Sequence, residues 1–160
     1  MERADGAVLL DFRALYDYGA EQTDAMLGQL EAAGEDAASR RPAPDALSAE
    51  EQARKLLWLE DALLRVENLG LEPYPFPPGF PVLPGQRLEK HFGLALLRQV
   101  REGLGREVRE ALDEMTPELL SDTIEDSGGR TVERNLARYL DLASAARAEA
   151  RMALSLAVDT

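Results

Sequence analysis

The stretch DLASAARAEARMALSLA, residues 141–157, decides how the rest of the chain is read. It is built from good helix formers with no glycine or proline, so it reads as a helix. Alanine stands at nearly every place where a helix usually carries a large side chain. A rod this smooth lets a neighbouring axis come close, towards the short end of the usual ~8–10 Å range.

Working back along the chain, Thr131 can cap this helix, which runs to about Val158 with Leu136, Tyr139, Leu140, Ala143, Ala146, Ala150 and Leu154 on one face. Before it, EDSGGR is a loop, and Thr116 followed by Pro117 is a cap with proline at the first position of a short helix ending near Leu120. A third helix is expected from Gln86 to Met115, on Leu88, Phe92, Ala95, Leu96, Val100, Gly103, Leu104, Ala111 and Leu112. Gly103 and Gly105 add to the places where helices can approach closely.

Six of the nine prolines fall in EPYPFPPGFPVLPG, residues 72–85. Each removes an amide donor and fixes a torsion, so the segment is expected to be a stiff crossover with Tyr74, Phe76 and Phe80 anchored on the helices. Upstream, Ser48 and Glu51 stand at capping-box spacing and open a second helix on Leu56, Leu59, Leu63 and Val66, widened by Leu57 and Leu64 and closed by Gly70. RRPAPDAL before it is a turn region. The first helix, residues 8–31, carries Leu9, Phe12, Tyr16, Gly19, Thr23, Met26 and Leu30 at spacings of three and four, with Gly34 as its stop. Nothing reads as a strand. The expected architecture is a single all-α domain over residues 1–160, a four-helix bundle with a long Pro-rich crossover between helices two and three.

Composition narrows the function classes. Thirty acidic against eighteen basic residues give a net charge of -12, spread along the chain, which repels phosphate backbones and anionic membrane surfaces. There is no cysteine, hence no disulfide, thiolate ligand or thiol nucleophile. The start MERADGAVLL has an apolar run of four residues, too short for a signal-peptide core, and no stretch reaches the length of a membrane span, so a cytoplasmic protein is expected.

Enzymatic motifs are sparse. A serine–histidine–acid arrangement needs a base, and His91, inside RLEKHFGLALL, has no motif around it; packing at the bundle edge against a carboxylate is the simpler reading. SGGR lacks the lysine and spacing of a phosphate loop. The paired Glu-x-x-His motif of bundle metal sites is missing. Glu60 and Glu67, seven apart, can both border the core. Arg147, if it faces inward, needs a carboxylate such as Glu60, Asp17 or Glu149, and Trp58, Tyr16, Tyr18 and Tyr139 read as core or subunit-interface aromatics.

Four places carry a family resemblance. YDYGA at 16–20 is similar to a Tyr-Asn-x-Trp-Ala motif, with Tyr16 and Ala20 kept; KLLWLE at 55–60 is similar to His-Leu-Leu-x-x-Glu, with Leu56, Leu57 and Glu60 kept. LDEMTPELLSDTIEDSGGRTV matches the segment where a short helix and glycine turn lead into the last helix. ARAE at 146–149 stands where the pattern is His-Arg-Gly-Gln, and keeps Arg147. Over residues 7 to 157 the chain thus resembles the DinB/YfiT-like superfamily of four-helix bundles, which the likeness links to damage response and thiol transfer.

The resemblance implies a divalent metal, nickel or zinc, held by one histidine of helix two and two of helix four. The matching positions are Lys55, Leu142 and Ala146, none of which can ligate. No metal and no other cofactor is therefore expected. The expected protein is a binding or stress-associated accessory protein, a homodimer, with a small molecule or anion as ligand and neither nucleic acid nor membrane as partner. Its ligand-binding set is Lys55, Glu60, Tyr139 and Arg147. Two other readings stand beside it: an enzyme with a remodelled cleft, for which Glu60, Arg147 and His91 are the catalytic candidates and Lys55 a cation, and a domain that presents Tyr74, Phe76 and Phe80 to a protein partner.

Overall fold

The computed structural model describes residues 2–80 and 92–158, with side chains from residue 6 onward. Helix α1 spans Glu2–Ala33, α2 Glu35–Ser39, α3 Ala49–Asp61, α4 Leu94–Glu114 and α5 Val132–Val158. A π-helical turn, Ala62–Glu67, continues α3, and a 3-10 turn covers Pro117–Ser121. No strand occurs among the described residues; the loop before α5 holds one isolated bridge, Thr123 to Thr131.

The helix boundaries follow from local chemistry. Gly34 and Gly70, at φ 97 and 64, end the first two long runs in a conformation that side chains resist. Ser48 and Glu51 form the full capping box: the Glu51 amide donates to Ser48 Oγ and the Ser48 amide to Glu51 Oε1, both at 3.1 Å. Thr131 Oγ1 accepts from the Arg134 amide at 3.3 Å, as its spacing predicts. Thr116 precedes Pro117 but makes no side-chain cap bond.

Helix α4 departs from the sequence expectation. It starts at Leu94; Phe92 and Gly93 lie outside it, and residues 86–91, Leu88 and His91 included, fall outside the described residues. Its first turn is held by carboxylates from elsewhere, because Glu35 Oε1 accepts the Leu94 amide at 2.9 Å and Glu50 Oε1 the Phe92 amide at 2.8 Å. At the other end Arg13 donates to the carbonyls of Leu112 and Met115. Orphan backbone groups at both ends thus find charged partners.

Helix α5 packs most extensively on α3; α1 packs on α5 and α4, and α4 on α3. The alanines of α5 mark this contact: Ala143, Ala146, Ala150, Ala153 and Ala157 are all buried. The predicted α1 face is buried at every position except Gly19, which is half-buried. On α3 the heptad reading shifts. Leu56, Leu57, Leu63 and Leu64 are the buried residues while Leu59 and Val66 are only half-buried; the π turn, which begins at Ala62, changes the angle per residue ahead of Val66. Asn135 of α5 braces that turn, donating through Nδ2 to the Leu63 carbonyl at 3.2 Å and to Asn68 Oδ1 at 3.1 Å.

The crossover packs inward over its described part. Phe80 is fully buried, stacked on Phe76 with centroids 5.2 Å apart and tilted against Phe92, and Tyr74 meets Phe76 edge-on. Phe80 thus lies in the core, and Tyr74 and Phe76 are half-buried against it. Residues 81–85 of the Pro-rich stretch lie outside the described residues. Among those described, no helix is long and apolar enough to cross a membrane.

Candidate functional site: a buried carboxylate between two phenols and two guanidiniums

Each of the four long helices places one polar side chain at a core position of the same layer. Glu60 comes from α3, Tyr16 from α1, Tyr139 from α5 and Arg101 from α4, all less than a tenth exposed. Tyr139 donates its hydroxyl to Glu60 Oε1 at 2.8 Å, and Tyr16 donates to Oε2 at 3.2 Å. The two rings lie tilted with centroids 6.3 Å apart. A carboxylate withdrawn from water needs such donors, because burial without them costs several kcal/mol.

Electrostatics follow from that geometry. Burial pushes the Glu60 carboxyl up, and the Arg101 charge and the two phenol hydrogen bonds pull it part of the way back. Both phenols are driven far above their ordinary range, by burial first and by the Glu60 charge second. Neither serves as a base; they are donors. Burial alone would depress Arg101, but Glu60, Tyr16 and Asp24 outweigh it and hold the guanidinium above its usual value. Arg147 is pulled down, because burial exceeds what Tyr139 and Glu60 return.

Two glycines of α4 make room for side chains. A Cβ on Gly105 would overlap the guanidinium of Arg101, and one on Gly103 would overlap the Tyr74 hydroxyl. One on Gly19 would meet Arg147 Nη1 at 3.6 Å, an ordinary van der Waals contact. The glycines of α4 thus admit side chains, where close approach of helix axes was expected. Arg147 points between α1 and α5, and its Nη1 donates to Thr23 Oγ1 at 3.4 Å. It forms no ion pair with Glu60, Asp17 or Glu149 among the described residues.

The expected ligand-binding set is therefore brought together in part. Glu60, Tyr139 and Arg147 share one polar centre. Lys55 does not join them: it lies five residues from Glu60, about 140° around the same helix, half-buried and without an ion pair among the described residues. His91 lies outside the described residues. Glu67 is half-buried at the far end of the π turn, holding Arg130 at 3.1 Å and accepting from Asn135 at 3.3 Å. Trp58 is half-buried and Tyr18 is 62% exposed, so neither is a core residue.

Two contributors escaped the sequence reading, Arg101 and Thr23 in its polar role. Arg101 was legible in principle. It interrupts the buried series Leu94, Leu97, Leu104 and Val108 at core spacing, a signal hidden when the face of this helix is placed one residue away, on Ala95 and Leu96.

The metal positions implied by the resemblance do not fit a metal. Leu142 is half-buried against the core, Ala146 is buried and Lys55 carries an ammonium; leucine and alanine have no donor atom. No group of three or more histidine, aspartate or glutamate side chains among the described residues is placed to share a cation.

A groove between α1 and α4, of about 530 Å³, leads from solvent to this layer, with Tyr16, Arg101 and Gly105 among its lining residues. The chain is an all-helical protein with a polar layer inside its core and a cleft beside it. No family model matches the sequence, and neither a curated protein nor a solved structure does.

Proposed function

We propose that the chain is a four-helix bundle of DinB/YfiT-like build that works without that family's metal, as a cytoplasmic, homodimeric binding or stress-associated accessory protein for a small molecule or anion. The ring of contacts α1–α5–α3–α4 supports the bundle. The observation that carries the functional reading is the polar layer: one carboxylate, two phenols and two guanidiniums converge from four helices next to a solvent-filled groove. Convergent polar groups in a cleft between helices are what ligand sites in bundles are made of. Exposed Leu10, Leu15, Met152 and Leu156 on the outer faces of α1 and α5 support association of two copies.

A remodelled enzyme ranks below this reading. Both Glu60 oxygens are occupied by phenol donors, and Lys55 is turned away from the centre. Elemental analysis of the purified chain, together with thermal shifts under added nickel or zinc, tests the proposal. The expected result is no stoichiometric divalent metal and no gain in melting temperature with either ion. Bound metal, or a clear rise with one, overturns it.

A further inference from the structure

Arg101 is buried to 7% exposure, yet its hydrogen-bonding capacity is poorly used. A guanidinium offers five N–H donors in a planar fork. The Nε of Arg101 is buried with no hydrogen-bond partner among the described residues. Its one ion pair among the described residues joins Nε to Asp24 Oδ1 at 3.5 Å, and Asp24 is itself half-exposed and also 3.9 Å from Arg98. Glu60 supplies charge compensation, but both of its oxygens already accept from phenols.

This guanidinium lies on the wall of the groove between α1 and α4, with Gly105 leaving the space into which it extends and Tyr16 and Ala20 facing it from α1. The groove is open to solvent and offers about 530 Å³, room for a small molecule. We propose that the groove binds a small monocarboxylic acid, whose carboxylate is taken by Arg101 while its organic part lies against Tyr16 and Ala20. The assignment deepens the binding reading given above and rests on it.

The groove is lined by four carboxylates and three guanidiniums, a balance that disfavours a dianion more than a monoanion. Arg109 is held by Asp17 at 3.1 Å and Asp113 at 3.4 Å; the remaining cations are Arg101, whose one contact to a carboxylate, Asp24, is 3.5 Å, and the exposed Arg106, which has no ion pair among the described residues. Asp24, Glu102 and Glu110 stand on the same walls of a chain with net charge -12. A dianion such as phosphate meets about twice the repulsion of a carboxylate there. A guanidinium can pair bidentately with carboxylate and phosphate alike, so charge rather than fork geometry makes the distinction.

The experiment is titration calorimetry of the purified full-length chain with sodium benzoate, and separately with sodium phosphate, at constant ionic strength. The variants are Arg101→Gln, Gly105→Ala and, as a remote control, Arg134→Gln on the exposed face of α5. Gly105→Ala is the decisive variant, because it keeps every charge, raises helix propensity and only displaces the guanidinium. Circular dichroism establishes that each variant is folded. Expected are saturable benzoate binding, a loss of about tenfold or more in affinity in Arg101→Gln and Gly105→Ala, and a change within about twofold in Arg134→Gln. Tighter binding of phosphate, equal affinity in Gly105→Ala, or no saturable benzoate binding by the folded chain each overturns the inference. Stoichiometric metal in the same preparation defeats the metal-free reading whatever benzoate does; metal-free protein indifferent to benzoate defeats only this assignment.

Discussion

Tyr139→Phe removes one oxygen from the core and leaves ring volume unchanged. In the folded chain that hydroxyl reaches Glu60 Oε1 at 2.8 Å, and Glu60 is 3% exposed, so no solvent replaces the lost donor. A hydrogen bond to a charged group contributes about 1.5–3 kcal/mol, and stranding the buried acceptor places this case in the upper half of that range. The expected loss is about 2–3 kcal/mol, roughly 5–10 °C in melting temperature for a chain of this size. Tyr16→Phe, whose bond to Oε2 is longer at 3.2 Å, should cost less, about 1–2 kcal/mol. Urea unfolding followed by circular dichroism measures both, with an unchanged m-value confirming that the denatured state is not the cause. Pairing Tyr139→Phe with Glu60→Leu, which removes the acceptor, in a double-mutant cycle isolates the contact, and a coupling of at least about 1 kcal/mol is expected. If Tyr139→Phe falls within about 0.5 kcal/mol of wild type, or the cycle is additive, the clamped carboxylate does not exist in solution.

Burial holds the folded-state pKa of Glu60 above its unfolded value, so its contribution to stability is complete below an unfolded pKa near 4.5 and declines as pH rises through the folded value. The difference in melting temperature between Glu60→Gln and wild type should therefore grow in favour of the variant from about pH 5 upward; a flat or opposite trend in calorimetric scans refutes the sign. Asn135→Leu strands the Leu63 carbonyl and Asn68 and should cost about 2–3 kcal/mol, with faster amide exchange confined first to Ala62–Glu67; protection there equal to wild type counts against the brace. Ser48→Ala breaks half of the capping box, and denaturant melts should register about 1 kcal/mol, while Glu51 stays fixed by its two bonds to Arg41; a loss above about 3 kcal/mol would mean that Ser48 does more than cap.

How much of this was legible depended on where the information resides. The capping box at Ser48, the glycine stops at Gly34 and Gly70 and the face of α1 were readable because each is set by contacts within a few residues of chain. The face of α4 was legible in part. The expected Val100, Leu104, Ala111 and Leu112 are buried, whereas Leu94, Leu97 and Val108, with Arg101 among them, stand in the core in place of Ala95 and Leu96, a choice made by packing against α1 and α3. The π turn after Asp61 was hidden for a related reason: the side chain that braces it, Asn135, is 72 residues away from Leu63. Of the site, Glu60, Tyr139 and Arg147 stood out as polar or aromatic groups on an otherwise apolar face, whereas Lys55, chosen by alignment to a motif, is separated from them by the pitch of its own helix.

The smoothness of α5 and the glycines of α4 serve the same core. A long polar side chain can enter a helical interior only if a neighbouring position gives up volume. Gly105 does so for Arg101 within α4 itself, and Gly103 does so for the Tyr74 hydroxyl. Each glycine costs its helix about 1 kcal/mol relative to alanine, a loss that an apolar core would have no reason to carry. The alanines at 143, 146 and 150 bury α5 tightly, so that Tyr139 and Arg147 are the long side chains directed from that helix to the polar layer. Were the layer merely tolerated, filling Gly105 with a methyl group would stabilise α4 and change nothing else. Because the methyl would instead evict the guanidinium that faces the groove, the same substitution separates a packing accident from a binding site.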